Sequence, residues 1–131
     1  MVLNDLHIHI ANVLIDCAKN KNVISYSELC KKVGYGSPEN IGKVLDPLTK
    51  FTYIFFDKTF ISVLVVRKDT LKDDVPKPGN KFFEMYREME DDFETSDNDI
   101  VLKQRIKAFN NDWSDLKRRL TEKIEQSISQ I

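Results

Sequence analysis

Apolar side chains recur at helical spacing from the start of the chain. Leu6, Ile10, Val13, Leu14 and Cys17 share one face and predict a helix over residues 4–19. Asn4 suits the N-cap and Asp5 the positive end of the helix dipole. Lys19-Asn20-Lys21-Asn22 stops this helix, and the β-branched pair Val23-Ile24 predicts a short strand. Ser25 and Glu28 form an S-x-x-E capping box for a second helix with Tyr26, Leu29 and Val33 on its apolar face. Gly34 stands where a left-handed terminal residue is expected, and Tyr35-Gly36 completes the turn. Ser37-Pro38-Glu39 then supplies a hydroxyl cap, a proline whose missing amide costs nothing, and an acid in the first turn. Ile41, Val44, Leu45 and Leu48 follow as an inward face, and Pro47 is expected to kink or end the helix near Asp46. The stretch Val23 to Leu48 is thus a helix-turn-helix pattern around which the chain is organised.

Two β-prone runs come next. Residues 51–56 (Phe-Thr-Tyr-Ile-Phe-Phe) are either one arm of a hairpin or an extension of the preceding helix. Residues 60–66 (Phe-Ile-Ser-Val-Leu-Val-Val) are expected to be a strand covered on both sides, because both alternating faces are apolar. This strand can supply a wing that pairs with Val23-Ile24. The aromatic cluster Phe51, Tyr53, Phe55, Phe56 and Phe60 fits core packing better than base stacking, which needs exposed rings. Residues 67–79 are a polar loop containing prolines, the expected wing tip and linker.

Asn80 is placed to cap a helix to about residue 94, with Phe82, Met85, Tyr86, Met89 and Phe93 on one side and a strongly acidic opposite side. After a break at 94–98, Leu102, Ile106, Phe109, Trp113, Leu116, Leu120 and Ile124 form a near-heptad seam. One last helix over 99–128 is expected, with Asn110-Asn111-Asp112 as an interruption near its middle. The terminal Ile124, Ile128 and Ile131 extend its apolar side. The expected fold is α+β, mainly helical: a winged helix-turn-helix over residues 1–79, followed by a two-helix extension over 80–131 packed on it or on a partner.

Composition narrows the function classes. The 131 residues hold 20 basic and 21 acidic side chains, a formal charge of −1, so the strongly basic balance of many nucleic-acid binders is absent. Residues 1–80 carry 11 basic and 9 acidic side chains and residues 81–131 carry 9 and 12, which places any nucleic-acid face in the first part. Cys17 and Cys30 have neither CxxC spacing nor a histidine cluster beside them and read as buried thiols in a reducing compartment. His7 and His9, two residues apart, cannot point the same way from a helix, so no metal or cofactor is expected. The N-terminus has no signal-peptide pattern, and no apolar run approaches the roughly 20 residues that span a bilayer. A cytoplasmic protein without membrane association is expected. No phosphate loop, HExxH motif, nucleophile elbow or Cys–His pairing occurs, so an enzyme is not expected.

Val23 to Leu45, VISYSELCKKVGYGSPENIGKVL, resembles the DNA-binding winged helix of the O6-alkylguanine alkyltransferase and alkyltransferase-like families. The shared features are the strand before Ser25-Tyr26, the Leu-containing helix, the glycine turn and the Ile41-Gly42 pair; with the run 60–66 the likeness reaches Val66. The resemblance implies a DNA-backbone role for Tyr26. The family's intercalating arginine falls near Glu39, and its Pro-Cys-His-Arg motif falls around Val65-Val66-Arg67-Lys68, where there is no cysteine. Alkyl transfer to a thiolate is therefore excluded at that position. Leu64-Val65-Val66-Arg67-Lys68-Asp69-Thr70, the Pro78-Gly79 loop and the Phe82-Phe83 helix also look like small winged-helix proteins of phages and mobile elements.

Two readings follow. In the first, a non-enzymatic nucleic-acid-binding protein, a small regulator, contacts duplex through Tyr26, Tyr35, Ser37, Asn40, Lys43, Arg67, Lys68, Lys72 and Lys77. Glu39 and Asp46 on the second helix oppose this reading. In the second, a protein-interaction module (inhibitor, immunity protein or assembly factor) binds a partner or a second copy through Glu88, Asp91, Asp92, Trp113 and Leu120 of the C-terminal helices.

Overall fold

The run Phe60–Val66 lies at the centre of the molecule, with all of its residues buried. The computed structural model describes residues 2–129; the expectation for Ile131 lies outside them. Six α-helices surround the central run among the described residues: α1 (Asp5–Lys19), α2 (Tyr26–Val33), α3 (Ile41–Phe55), α4 (Asn80–Glu90), α5 (Asp97–Asn110) and α6 (Leu116–Ser129). Two short strands, β1 (Ile24–Ser25) and β2 (Val65–Val66), pair in parallel, Ile24 opposite Val65 and Ser25 opposite Val66. The fold is thus α+β and mainly helical, and no helix among the described residues is long and apolar enough to cross a membrane.

The first two helices keep their expected caps, although the reciprocal capping box forms at α1, through Asn4 and His7, and α2 has only its Ser25 half. The Asn4 side chain accepts from the Leu6 amide at 3.0 Å, and Ser25 Oγ accepts from the Glu28 amide at 3.2 Å. Gly34 ends α2 at φ +73°, a left-handed conformation that glycine adopts without steric cost.

Several expectations are corrected. The run 60–66 is not a continuous strand: Ile61–Leu64 form a 3-10 turn and only Val65–Val66 are extended. A two-residue partner strand cannot satisfy a longer ladder, so the rest of the buried run turns and takes hydrogen bonds elsewhere. No hairpin forms with 51–56, because α3 continues to Phe55. Leu48, Phe51 and Thr52 share its buried face, and this packing overrides the β-propensity of the run. Pro47 lies inside α3 and does not end it. The carbonyl that its missing amide leaves free belongs to solvent-exposed Lys43, where water can serve it.

Nor does α3 begin at Ser37. The Ser37 hydroxyl donates to the Glu39 carboxylate at 2.9 Å and accepts from the Asn40 side chain at 2.8 Å, so 38–40 form a turn and the helix starts at Ile41. In α4 the N-cap is Gly79, and the helix stops at Asp91, leaving Phe93 exposed beyond its end. Phe83 takes a core place instead.

The expected single last helix is two, α5 and α6, so three helices follow residue 79. The Asn111 side chain breaks it by donating to the Phe56 carbonyl at 3.0 Å and to Thr59 Oγ1 at 2.8 Å. The inward face of α5 is also rotated from the expected seam. Ile100, Val101, Gln104, Arg105 and Ala108 point in, while Leu102 and Ile106 are 46% and 61% exposed. The reason is polar. Gln104 Oε1 accepts from the buried Phe60 amide at 2.8 Å, and the Arg105 guanidinium donates to the Pro76 carbonyl. Burial holds the Arg105 pKa down to about 10.

Leu14, Leu29, Leu48, Leu64, Ile100, Leu116 and Leu120 belong to one hydrophobic core to which elements before and after residue 79 contribute. A buried histidine ties α1 to α3: His7 Nδ1 accepts from the Asn4 amide at 3.0 Å, and Nε2 lies 2.8 Å from the Val44 carbonyl. Since a carbonyl only accepts, Nε2 carries the proton and the ring is neutral. Burial lowers its pKa below the usual 6.5, outweighing the pull of the Val44 carbonyl. Above 6.5 the folded and unfolded rings are both neutral; below it the unfolded state takes up the proton more readily, so stability falls with pH. Urea unfolding between about pH 7.5 and 5 should show this loss, and His7→Gln should reduce the slope. An unchanged slope in the variant would show that His7 is not its source.

Candidate interaction groove

A groove of about 310 Å³ opens between the N-terminal half of α3 and the Gly79–Met85 segment. Helical spacing makes its first wall. Gly42 and Asp46 lie one turn apart on the side of α3, with Glu39 just before the helix, while Ile41, Val44 and Leu48 face the core. The second wall is the start of α4, with Lys81, Phe82 and Met85. Leu45 and Tyr26 also line the groove.

Hydrogen bonds in the 67–79 loop hold the second wall. The Arg67 amide donates to the Lys77 carbonyl at 2.8 Å, and the Lys77 amide donates to Thr70 Oγ1 at 3.0 Å, which closes the loop on itself. Arg105 holds Pro76, and the Tyr26 hydroxyl accepts from the Gly79 amide at 2.9 Å. Tyr26, expected near a phosphate backbone, thus fastens the entry to α4. Burial raises its pKa, against the opposing effects of the Gly79 amide and the Arg67 charge.

The carboxylates differ in setting. Asp46 is half-buried, and burial raises its pKa against the attraction of Lys50 and Lys81. Glu39 is exposed, and hydrogen bonds from its own amide and from Ser37 lower its pKa. Lys43 and Asn40 lie on the outward side of α3, joined there by Lys50, which the sequence reading did not single out. The acids therefore turn toward the groove and the lysines toward solvent. Lys50 follows Lys43 by two helical turns, and this spacing was legible in the sequence. Nothing in the sequence marks Lys81, Met85 and Gly79 as a groove wall, because that place depends on how α4 crosses α3.

The remaining candidates divide. Tyr35 is half-buried beside the α2–α3 turn, and Ser37 is engaged with Glu39 and Asn40. Arg67, Lys68 and Lys72 are exposed, with Arg67 3.6 Å from Asp69. The Lys77 ammonium donates to the Val75 carbonyl at 3.3 Å. Glu88 and Asp91 are exposed, but the Asp92 carboxylate accepts from the Glu94 and Thr95 amides, each at 3.1 Å, and the Thr95 side chain together with these amides lowers its pKa. Trp113 and Leu120, expected at a partner surface, are core residues: Trp113 donates to the Ala108 carbonyl at 2.8 Å and packs on Phe56.

No group of three or more His, Cys, Asp or Glu side chains among the described residues could hold a metal. Both cysteines are free thiols, and burial raises their pKa values, which disfavours the nucleophilic thiolate. No family model, curated protein or solved structure matches the chain.

Replacing Tyr26 with Phe is expected to cost about 1 kcal/mol and to speed hydrogen exchange at the Gly79 amide. Unchanged exchange at Gly79 would show that the hydroxyl does not hold the loop.

Proposed function

We propose that the protein is a non-enzymatic protein-interaction module built on a winged helix-turn-helix, and that it recognises a partner with a basic surface. The observation that carries this reading is the pair Glu39 and Asp46 beside an apolar groove, just before and on the helix that a DNA-reading module would present to the major groove. Two carboxylates there repel phosphate and attract cations. Exposed Glu84, Glu88 and Asp91 on and just after α4 extend the negative character of the neighbouring surface.

A second reading, nucleic-acid binding, is favoured by a different observation. Asn40, Lys43 and Lys50 occupy the outward side of α3, and Arg67, Lys68 and Lys72 are exposed in the loop that closes toward Tyr26. On that reading the resemblance to the alkyltransferase DNA-binding module extends to duplex binding without alkyl transfer.

One comparison separates the two. With a stoichiometric protein partner isolated, calorimetry on the Glu39→Gln/Asp46→Asn double variant should show a roughly tenfold loss of affinity, with no loss on Lys43→Ala/Lys50→Ala. If instead the protein binds duplex DNA, with affinity that falls steeply with salt and drops in the lysine variant, the nucleic-acid reading replaces this one.

A further inference from the structure

We infer that the groove between α3 and α4 accepts a short, extended peptide segment of a partner, in which two Lys or Arg residues flank an apolar side chain. This inference rests on the protein-interaction reading and adds the form of the ligand to it.

The argument starts from the spacing of the acids. Glu39 stands in the turn that leads into α3 and Asp46 in the second turn of the helix, seven residues on and roughly 10 Å away at a helix-like rise per residue. A peptide in the polyproline II conformation, extended and with three residues per turn, rises about 3.1 Å per residue, so residues three apart span that distance and face the same wall. Gly42 lies between the acids. A Cβ at this position would meet no atom within 4 Å, so the helix backbone borders open space there. Leu45, Phe82 and Met85 supply apolar lining, and the flexible thioether of Met85 can fit side chains of different shape. The site is therefore apolar between two negative points. Its volume of about 310 Å³ suits one or two side chains rather than a folded surface.

Lys81 sets the polarity across the groove. It stands on the α4 wall opposite the acids, so a cationic side chain is drawn toward α3 while peptide carbonyls are favoured toward α4. A bare anion meets Glu39 and Asp46, and a simple cation meets Lys81. A peptide with basic side chains and a backbone of carbonyls satisfies both walls.

The test is a phage-displayed library of random short peptides, panned on the intact protein and, in parallel, on Glu39→Gln/Asp46→Asn and on Gly42→Leu. The first variant removes the charges; the second fills the trench at a position where helical backbone tolerates a side chain. Enriched peptides are expected to carry two basic residues about three positions apart, one polyproline II turn, with an apolar residue between them. A synthesised winner should bind roughly tenfold more weakly to each variant, while the thermal midpoints of both variants stay at or above that of the parent. Enrichment of peptides without basic residues, equal binding to the variants, or no enrichment over blank beads overturns the inference. If no peptide is enriched but a whole protein partner still loses affinity on the double variant, the interaction reading stands and the short-segment ligand is wrong.

Discussion

The structure depends on satisfying a buried stretch of irregular backbone. After an exposed turn at Asp57-Lys58, residues 59–64 cross the centre of the molecule before joining β2. Only two of the residues that follow, Val65 and Val66, belong to a ladder. Unpaired amides and carbonyls cost about as much as lost hydrogen bonds when water cannot reach them. Side chains from neighbouring helices supply the partners. Gln104 takes the Phe60 amide, Asn111 takes the Phe56 carbonyl, and Thr52 Oγ1 lies 2.8 Å from the Thr59 carbonyl and 3.4 Å from the Ile61 amide.

That requirement sets the outer architecture. To bring Gln104 and Arg105 inward, α5 turns a partly polar face to the core and leaves Leu102 and Ile106 outside. Arg105 then reaches Pro76, fixing the loop that Tyr26 holds at Gly79. The start of α4 is thereby set across the side of α3, and the groove is the space between them. A polar demand at the centre is linked through two hydrogen-bonded side chains to the shape of the surface.

Local signals in the sequence were reliable where local chemistry decides. The Asn4 and Ser25 caps, the Gly34 turn and the inward face Ile41, Val44, Leu45 and Leu48 all depend on neighbours within a turn or two, and all are present. The parallel pairing of β1 with β2 and the places of Gln104, Arg105 and Asn111 depend on contacts between distant segments. A glutamine in an apolar seam looks like a surface residue until the amide it serves is known. The same holds for the site: Glu39 and Asp46 were visible as acids on the second helix, but the α4 wall that makes them part of a groove was not. Trp113 and Leu120 stand on an apolar seam that suits a partner as well as a core, and only the path of the chain after the break at Asn111 turns both into the core of the same molecule.

The most direct measurement is the stability of Gln104→Met, which keeps much of the side-chain volume and removes both polar atoms. If Gln104 is needed to satisfy the Phe60 amide, unfolding free energy should fall by about 1–3 kcal/mol and exchange at that amide should accelerate. A variant as stable as the parent, with Phe60 still protected, would contradict the dependence of this fold on polar side chains serving its buried turn.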